Sequence, residues 1–281
     1  MFSLHGYRAL RTQGGLVRRT DRAVLAITGA DRNAWLQGLI TNDVATLAPG
    51  VTRYAAYLTP QGRMITDLTV IARADRLWLD VPAPLAAALR DRFDALIFTE
   101  DAQVMDESAA LEVWTAIAPG DPAGGDLTDL VVDRGQPPAL AYPTINLDTF
   151  EVVRVERGIP RFLVDMDTDT IPLEAGIEDR AISFTKGCYV GQEVIVRVTH
   201  RGGGRVAKRL MRWHAGPGVV AVPAPGSRIH ADERDIGRVT SAVFSPEREA
   251  VVGLGYVHRD FLHREDATVA SHGAVTPIVL G

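Results

Sequence analysis

The chain has 281 residues, 46% of them hydrophobic and 23% charged, with a formal charge of −5. That length suggests about two compact units or three small ones, at roughly 150 residues per domain, and the composition excludes a disordered, collagenous or coiled-coil chain. The acidic balance gives no global positive field for a phosphate backbone, and a single cysteine cannot form an internal disulfide, so neither general nucleic-acid binding nor an oxidising compartment is called for.

The opening residues, Met1-Phe2-Ser3-Leu4-His5-Gly6-Tyr7-Arg8, lack the apolar core of a signal peptide. No run of about 18 apolar residues follows, so a cytoplasmic protein without membrane contact is expected. Val24-Leu25-Ala26-Ile27 predicts a strand, and Thr28-Gly29-Ala30-Asp31 a turn able to cap a helix. Trp35, Leu36, Leu39 and Ile40 then recur at helical spacing until Asn42-Asp43. Residues 54–58, 64–71 and 77–81 read as a β-meander, with turns at Pro60-Gln61-Gly62-Arg63 and near Asp75-Arg76. Pro84 opens a helix whose apolar positions Leu85, Leu89, Phe93, Leu96 and Ile97 step by three and four.

Residues 119–143 are turn-rich, through Pro119-Gly120-Asp121-Pro122, Gly124-Gly125 and Pro137-Pro138, with a strand expected at Leu130-Val131-Val132. A helix over 148–157 is stopped by Gly158-Ile159-Pro160. From about Val206 onward short apolar runs alternate with turns such as Pro223-Ala224-Pro225-Gly226 and Ser245-Pro246-Glu247-Arg248, which predicts a small all-β unit.

Cys188 lies in the run Lys186-Gly187-Cys188-Tyr189-Val190-Gly191-Gln192-Glu193. A thiol acts as nucleophile or ligand only as thiolate, and Lys186 together with backbone exposed at Gly187 and Gly191 could favour that form. A lone cysteine can equally be a small buried hydrophobe. The density of cation, thiol, phenol, amide and carboxylate within eight residues makes poor core material and favours a functional surface.

One cysteine cannot hold an iron–sulfur cluster unaided, and the seven histidines show no zinc spacing, so no resident metal is expected. Gly202-Gly203-Gly204 lacks the lysine–hydroxyl ending of a phosphate loop and reads as a turn between domains. The basic stretch around it, from Arg197 to Arg209, is either a solvated face or a place for an anionic tail or partner. Asp67 falls mid-strand, where aspartate is depleted, and must face solvent, a partner or a polar cavity. Glu156, between Arg154 and Arg157, would be explained by a surface ion pair.

Lys186 to Glu193 followed by Arg197 resembles the K-G-C-Y-x-G-Q-E-x-x-x-R signature of the YgfZ-type folate-binding proteins, with Val190 in the variable slot. Ile27-Thr28-Gly29-Ala30-Asp31, Leu36-Gln37-Gly38-Leu39 and Thr41-Asn42-Asp43-Val44 look like the N-terminal hallmark shared with the glycine-cleavage T-protein. Glu156-Arg157-Gly158-Ile159-Pro160 is similar to the segment preceding that signature. The resemblance implies an α+β, three-domain T-protein-like fold with a C-terminal β-barrel. Residues 1–50 plus 145–204 would form a discontinuous folate-binding domain, 51–144 an inserted αβ domain and 205–281 the barrel.

The resemblance also implies tetrahydrofolate or a derivative as cofactor, and assistance in assembly or repair of iron–sulfur clusters in client enzymes, tRNA-modifying ones included. Its partners would be those clients or assembly factors. By position Asp67 matches the T-protein aspartate near the reactive nitrogens of tetrahydrofolate, and Glu156 its pterin-binding glutamate. The implied catalytic set is Cys188, Asp67 and Lys186; the implied cofactor contacts are Asp67, Glu156, Tyr189, Gln192, Glu193 and Arg197. Asp67 keeps a second reading open, a tetrahydrofolate-dependent aminomethyl or one-carbon transferase. A module that binds folate without chemistry is the third.

Overall fold

The computed structural model describes residues 1–120, 126–201, 203–271 and 274–281, with the side chains of 201, 271 and 274 outside the description. The turns expected at Asp121-Pro122 and Gly124-Gly125, and Gly202 of the triple glycine, lie outside the described residues.

In chain order the front of the molecule is α1 (Leu4–Gln13), β1 (Gly15–Arg18), β2 (Arg22–Thr28), α2 (Arg32–Gln37), β3 (Thr52–Leu58), β4 (Met64–Ala72), β5 (Leu77–Pro82) and α3 (Ala86–Asp94). There follow β6 (Gln103–Asp106), β7 (Leu111–Ile117), β8 (Leu127–Asp133), β9 (Thr144–Ile145) and α4 (Leu147–Glu156). Two short helices, α5 (Glu178–Ala181) and α6 (Gln192–Val196), punctuate the irregular stretch after α4. The last strands are β10 (Lys208–Ala215), β11 (Arg228–Ala231), β12 (Arg234–Ser245), β13 (Ala250–His258), β14 (Thr268–Ser271) and β15 (Ala274–Leu280).

A five-stranded sheet runs β3-β4-β5-β2-β6, every neighbouring pair antiparallel. On one face α2 and α3 cover Leu25, Ile27, Leu68, Val70 and Leu79, and Phe93 of α3 meets Trp35 at 5.9 Å and Tyr57 at 5.1 Å between ring centroids. The opposite face is divided. Near the β3–β4 turn it packs Ala56, Leu58 and Met64 against Phe162, Met166, Ile177, Tyr189 and Ile195 of the irregular stretch. Farther along, Val24 of β2 meets Leu111 and Val113 of the next sheet.

That next sheet runs β8-β7-β1-β9, with β1 and β9 parallel. It is closed by α1, whose N-cap Ser3 side chain accepts from the Gly6 N–H, and by α4, capped likewise by Asn146 on the Thr149 N–H. Tyr7, Leu10, Val17, Ile117, Phe150 and Val153 form their shared core. The third sheet is a closed barrel, β10-β13-β12-β11-β14-β15, with Trp213 in its core. A Cβ on Gly253 would lie 2.2 Å from the Trp213 ring, so glycine there makes room for the indole.

The expected boundary at residue 50 does not separate these sheets. β2 sits between β5 and β6, inside the sheet that holds residues 52–82. The reason is in β2 itself, whose residues 23–27 are all buried: a strand apolar on both faces needs ladder partners at both edges and cover on both sides.

Candidate functional site

Four adjacent strands place polar residues on the sheet face that looks toward α4, Thr69 of β4 among them. Register pairs Tyr54 with Thr69, Ala56 with Asp67, Thr69 with Asp80 and Val24 with Asp80. Side chains alternate along a strand, so Tyr54, Asp67, Asp80 and Arg22 share that face. Arg22 bridges two carboxylates, donating from Nη1 to Asp67 Oδ1 at 3.2 Å and from Nε to Asp80 Oδ1 at 2.6 Å. The Tyr54 hydroxyl donates to the other oxygen of Asp67 at 3.0 Å. Asp67 is only 5% exposed. Of the alternatives for a mid-strand aspartate, the polar cavity is the one realised, and solvent-facing placement is corrected.

The cavity, about 100 Å³, is completed by Phe150 and Arg154 of α4, by Ile159-Pro160 and by Arg180. Arg19 lies 4.7 Å over the Phe150 ring and Arg180 4.3 Å over the Tyr54 ring. Burial opposes the charge of Arg22, but Asp80 and Asp67 outweigh it and its pKa rises. Burial likewise pushes the Asp80 carboxyl up to about 6 against the pull of Arg22. The Tyr54 hydroxyl is raised well above its ordinary value by burial and then by the Asp67 charge.

Glu156 lies elsewhere. On α4 each residue turns about 100°, so positions 154 and 156 project to nearly opposite sides. Arg154 faces Asp165, at 2.7 Å, and Glu151, rather than pairing with Glu156 on the surface. Glu156 is 8% exposed, accepts from the Tyr7 hydroxyl at 2.8 and 2.9 Å, and lines a hollow of about 220 Å³ with Arg212, Trp213 and Arg248 of the barrel. Asp67 and Glu156 therefore open onto different hollows, and the expectation of one pterin pocket holding both is corrected.

Cys188 is exposed, which removes the buried-hydrophobe reading. Its neighbours do the opposite. The Lys186 ammonium, on a residue 8% exposed, donates to the carbonyls of Gln37 at 2.6 Å, Ile40 at 2.8 Å and Asn42 at 2.9 Å. An ammonium has three N–H groups, and all are engaged. Lys186 thus has no hydrogen bond left for the Cys188 thiolate; it pins the segment to residues 37–42, which leaves its charge alone to favour the thiolate. Burial lowers its pKa to about 8.

Tyr189 is 7% exposed within the core below β3 and β4, and burial raises its hydroxyl to about 12, so it packs where cofactor contact was expected. Gln192 begins α6; Glu193 and Arg197 share a shallow hollow of about 180 Å³ with Val196 and His200 on its outer side. None of residues 186–197 lines the Asp67 cavity.

The two regions are joined through Asn42. Its carbonyl receives Lys186, while its side-chain amide donates to the carbonyls of Tyr54 at 2.8 Å and Arg180 at 2.9 Å, both of which line the Asp67 cavity. Thr41 next to it donates to the Ala181 carbonyl at 2.6 Å and accepts from the Ala56 N–H at 2.9 Å. Sequence reasoning missed Arg22, Tyr54 and Asp80. Asp80 carried the same signal as Asp67, an aspartate inside an apolar strand; Arg22 carried none, because only strand order brings it there.

Residues 3–114 match the GCVT N-terminal domain family, and residues 208–280 the glycine cleavage T-protein C-terminal barrel domain family. Among curated relatives, a mitochondrial iron-sulfur cluster assembly factor IBA57 homolog of Phaeosphaeria nodorum is 27% identical, covering 82% of this chain and 68% of that protein. The tRNA-modifying protein YgfZ of Sodalis glossinidius is also 27% identical, covering 82% of this chain and 80% of its own length. The crystal structure of glycine cleavage system aminomethyltransferase T from Bartonella henselae superposes with a TM-score of 0.83, covering 99% of this chain and 87% of that one at 18% identity. Fold and family matches thus define a T-protein-type chain, an α+β front joined to a closed six-stranded barrel. Within that class the chain belongs to the glycine-cleavage T-protein family as a YgfZ-type protein related to the aminomethyltransferases.

Proposed function

We propose that this protein is a folate-binding factor assisting assembly or repair of iron–sulfur clusters in client enzymes, tRNA-modifying enzymes among them. The observation that carries the reading is the exposure of Cys188 between two buried anchors of its segment, Lys186 and Tyr189. A thiol held at the surface by its neighbours is presented to something outside the chain. Being single, it supplies one ligand or one nucleophile and needs a partner for the rest. The names of the YgfZ and IBA57 relatives support this direction.

The Asp67 cavity is proposed to take only the flat ring of the folate, its volume of about 100 Å³ lying below the roughly 300–1,000 Å³ of a whole small-molecule site. Carboxylates of Asp67 and Asp80 suit the N–H groups of a flat, nitrogen-rich ring, and the guanidinium planes of Arg19 and Arg180, which cover Phe150 and Tyr54, suit stacking on it. Tetrahydrofolate would supply one-carbon chemistry when bound, while the chain's own groups would orient it. The test is complementation: Cys188→Ser is expected to fold normally yet fail to restore a cluster enzyme in a strain lacking this protein. Full restoration would remove the thiol from the function.

A second reading, a tetrahydrofolate-dependent aminomethyl or one-carbon transferase, is favoured by Asp67 lying in a buried polar cavity. Both Asp67 oxygens already accept hydrogen bonds, from Arg22 and Tyr54, which speaks for a held carboxylate over a mobile base. Incubation with tetrahydrofolate and an aminomethyl donor separates the readings, since absence of methylene-tetrahydrofolate eliminates the transferase.

A further inference from the structure

Where the irregular stretch enters the barrel, Arg205, Arg209 and Arg259 line one hollow of about 510 Å³, together with His263 and Asp260. That volume lies within the range of small-molecule sites, roughly 300–1,000 Å³. The walls are fixed to each other: the Arg259 N–H bonds the Ala207 carbonyl at 3.0 Å, and the β10–β13 ladder begins alongside with Lys208 opposite His258. Two of the guanidiniums already have a carboxylate nearby. Arg209 is held by Glu178 at 2.8 Å, and Arg259 lies 3.6 Å from Asp260 with both side chains more than half exposed, a pairing that contributes little. Arg205 is exposed and forms no ion pair among the described residues.

We infer that this hollow is an anion site for a compact phosphate-bearing ligand. A tetrahedral dianion offers enough oxygens to engage three guanidinium forks at once, whereas one carboxylate satisfies a single fork. The chain as a whole carries −5, so the attraction is local and suits a small ligand better than a long polyanion crossing the surface. The hollow shares no lining residue with the Asp67 cavity, so the assignment stands independently of the folate reading.

Calorimetric titration of the full chain with inorganic pyrophosphate at low salt tests it. Saturable one-site binding is expected, weakened about 10- to 100-fold by Arg205→Ala or Arg259→Ala, the effect of losing one charge-assisted contact. Arg228→Ala, which removes an exposed arginine elsewhere on the barrel, should leave it unchanged. Absence of saturable binding, or equal weakening by all three variants, would overturn the site. A single-stranded oligonucleotide binding more tightly than pyrophosphate through Arg205 and Arg259 would overturn the compact ligand.

Discussion

Lys186 holds the carbonyls of Gln37, Ile40 and Asn42 with one ammonium, so the Cys188 segment is fastened from the residue two places before the thiol. Lys186→Met keeps the apolar stem and removes every donor, leaving three acceptors unmatched. The expected loss is about 1–3 kcal/mol of stability, read as a lower urea midpoint; an unchanged midpoint would show that the pin is not needed. Asp80 gives a pH signature. Its carboxyl titrates at about 6 in the folded chain against the ordinary 3.8, so between those values the native state holds the proton that the unfolded state has released. Stability from this group is complete below about pH 4 and is lost as pH rises through about 6. Asp80→Asn should flatten that part of the stability curve, and a variant with the wild-type slope would assign the titration to another group.

The β3–β4 turn and the start of α6 meet through two glycines. Gly191, at φ +84°, would carry a Cβ 2.5 Å from the Thr59 carbonyl oxygen, and Gly62, at φ +76°, one 2.9 Å from the Val194 side chain. Both positions combine a left-handed backbone with direct contact, so Gly191→Ala must strain the turn or lift α6 from β3. A cost of about 1–3 kcal/mol is expected from the backbone alone, checked by thermal unfolding, and a variant as stable as the parent would show that the contact gives way freely. Elements bounded by turn residues or carrying a helical step were legible in the sequence: the meander strands are apolar runs set off by the turns at 60–63 and 75–76, and Leu89 and Phe93 step as a helix. β7 was not, because all seven of its residues are buried and no alternation survives. α1 was missed because only Tyr7 and Leu10 of its ten residues are buried, too short a stripe to register. In the site, Cys188 and Asp67 stood out by residue type, but the Arg22 bridge depended on β2 lying next to β5, which pairs residues far apart in the chain.

At the scale of the molecule, a buried ion pair ties the barrel to the front, beside the apolar packing of Val155 on Val252 and Leu254. Asp165, 2% exposed, accepts from Arg154 of α4 at 2.7 Å and from Thr240 and Ser241 of β12 at 2.6 and 2.7 Å. Two consecutive strand residues can reach the same carboxylate because the β12–β13 register shifts between Val239 and Ser241, turning neighbours that would alternate toward one side. Arg154 returns a bond to the Ser241 hydroxyl at 2.8 Å and also lines the Asp67 cavity, so the barrel's position and the cavity wall depend on the same guanidinium. Removing Asp165 leaves that cation buried with one carboxylate, Glu151, in place of two. Asp165→Ala is expected to cost about 3–5 kcal/mol, the penalty of a broken buried pair, and to expose the segment before β10 to limited proteolysis. Replacing both partners, Arg154→Met with Asp165→Leu, removes the stranded charge and should be less destabilising than Asp165→Ala alone. If the double variant melts lower than the single one, the network contributes net stability to the joint between front and barrel, beyond fixing its geometry.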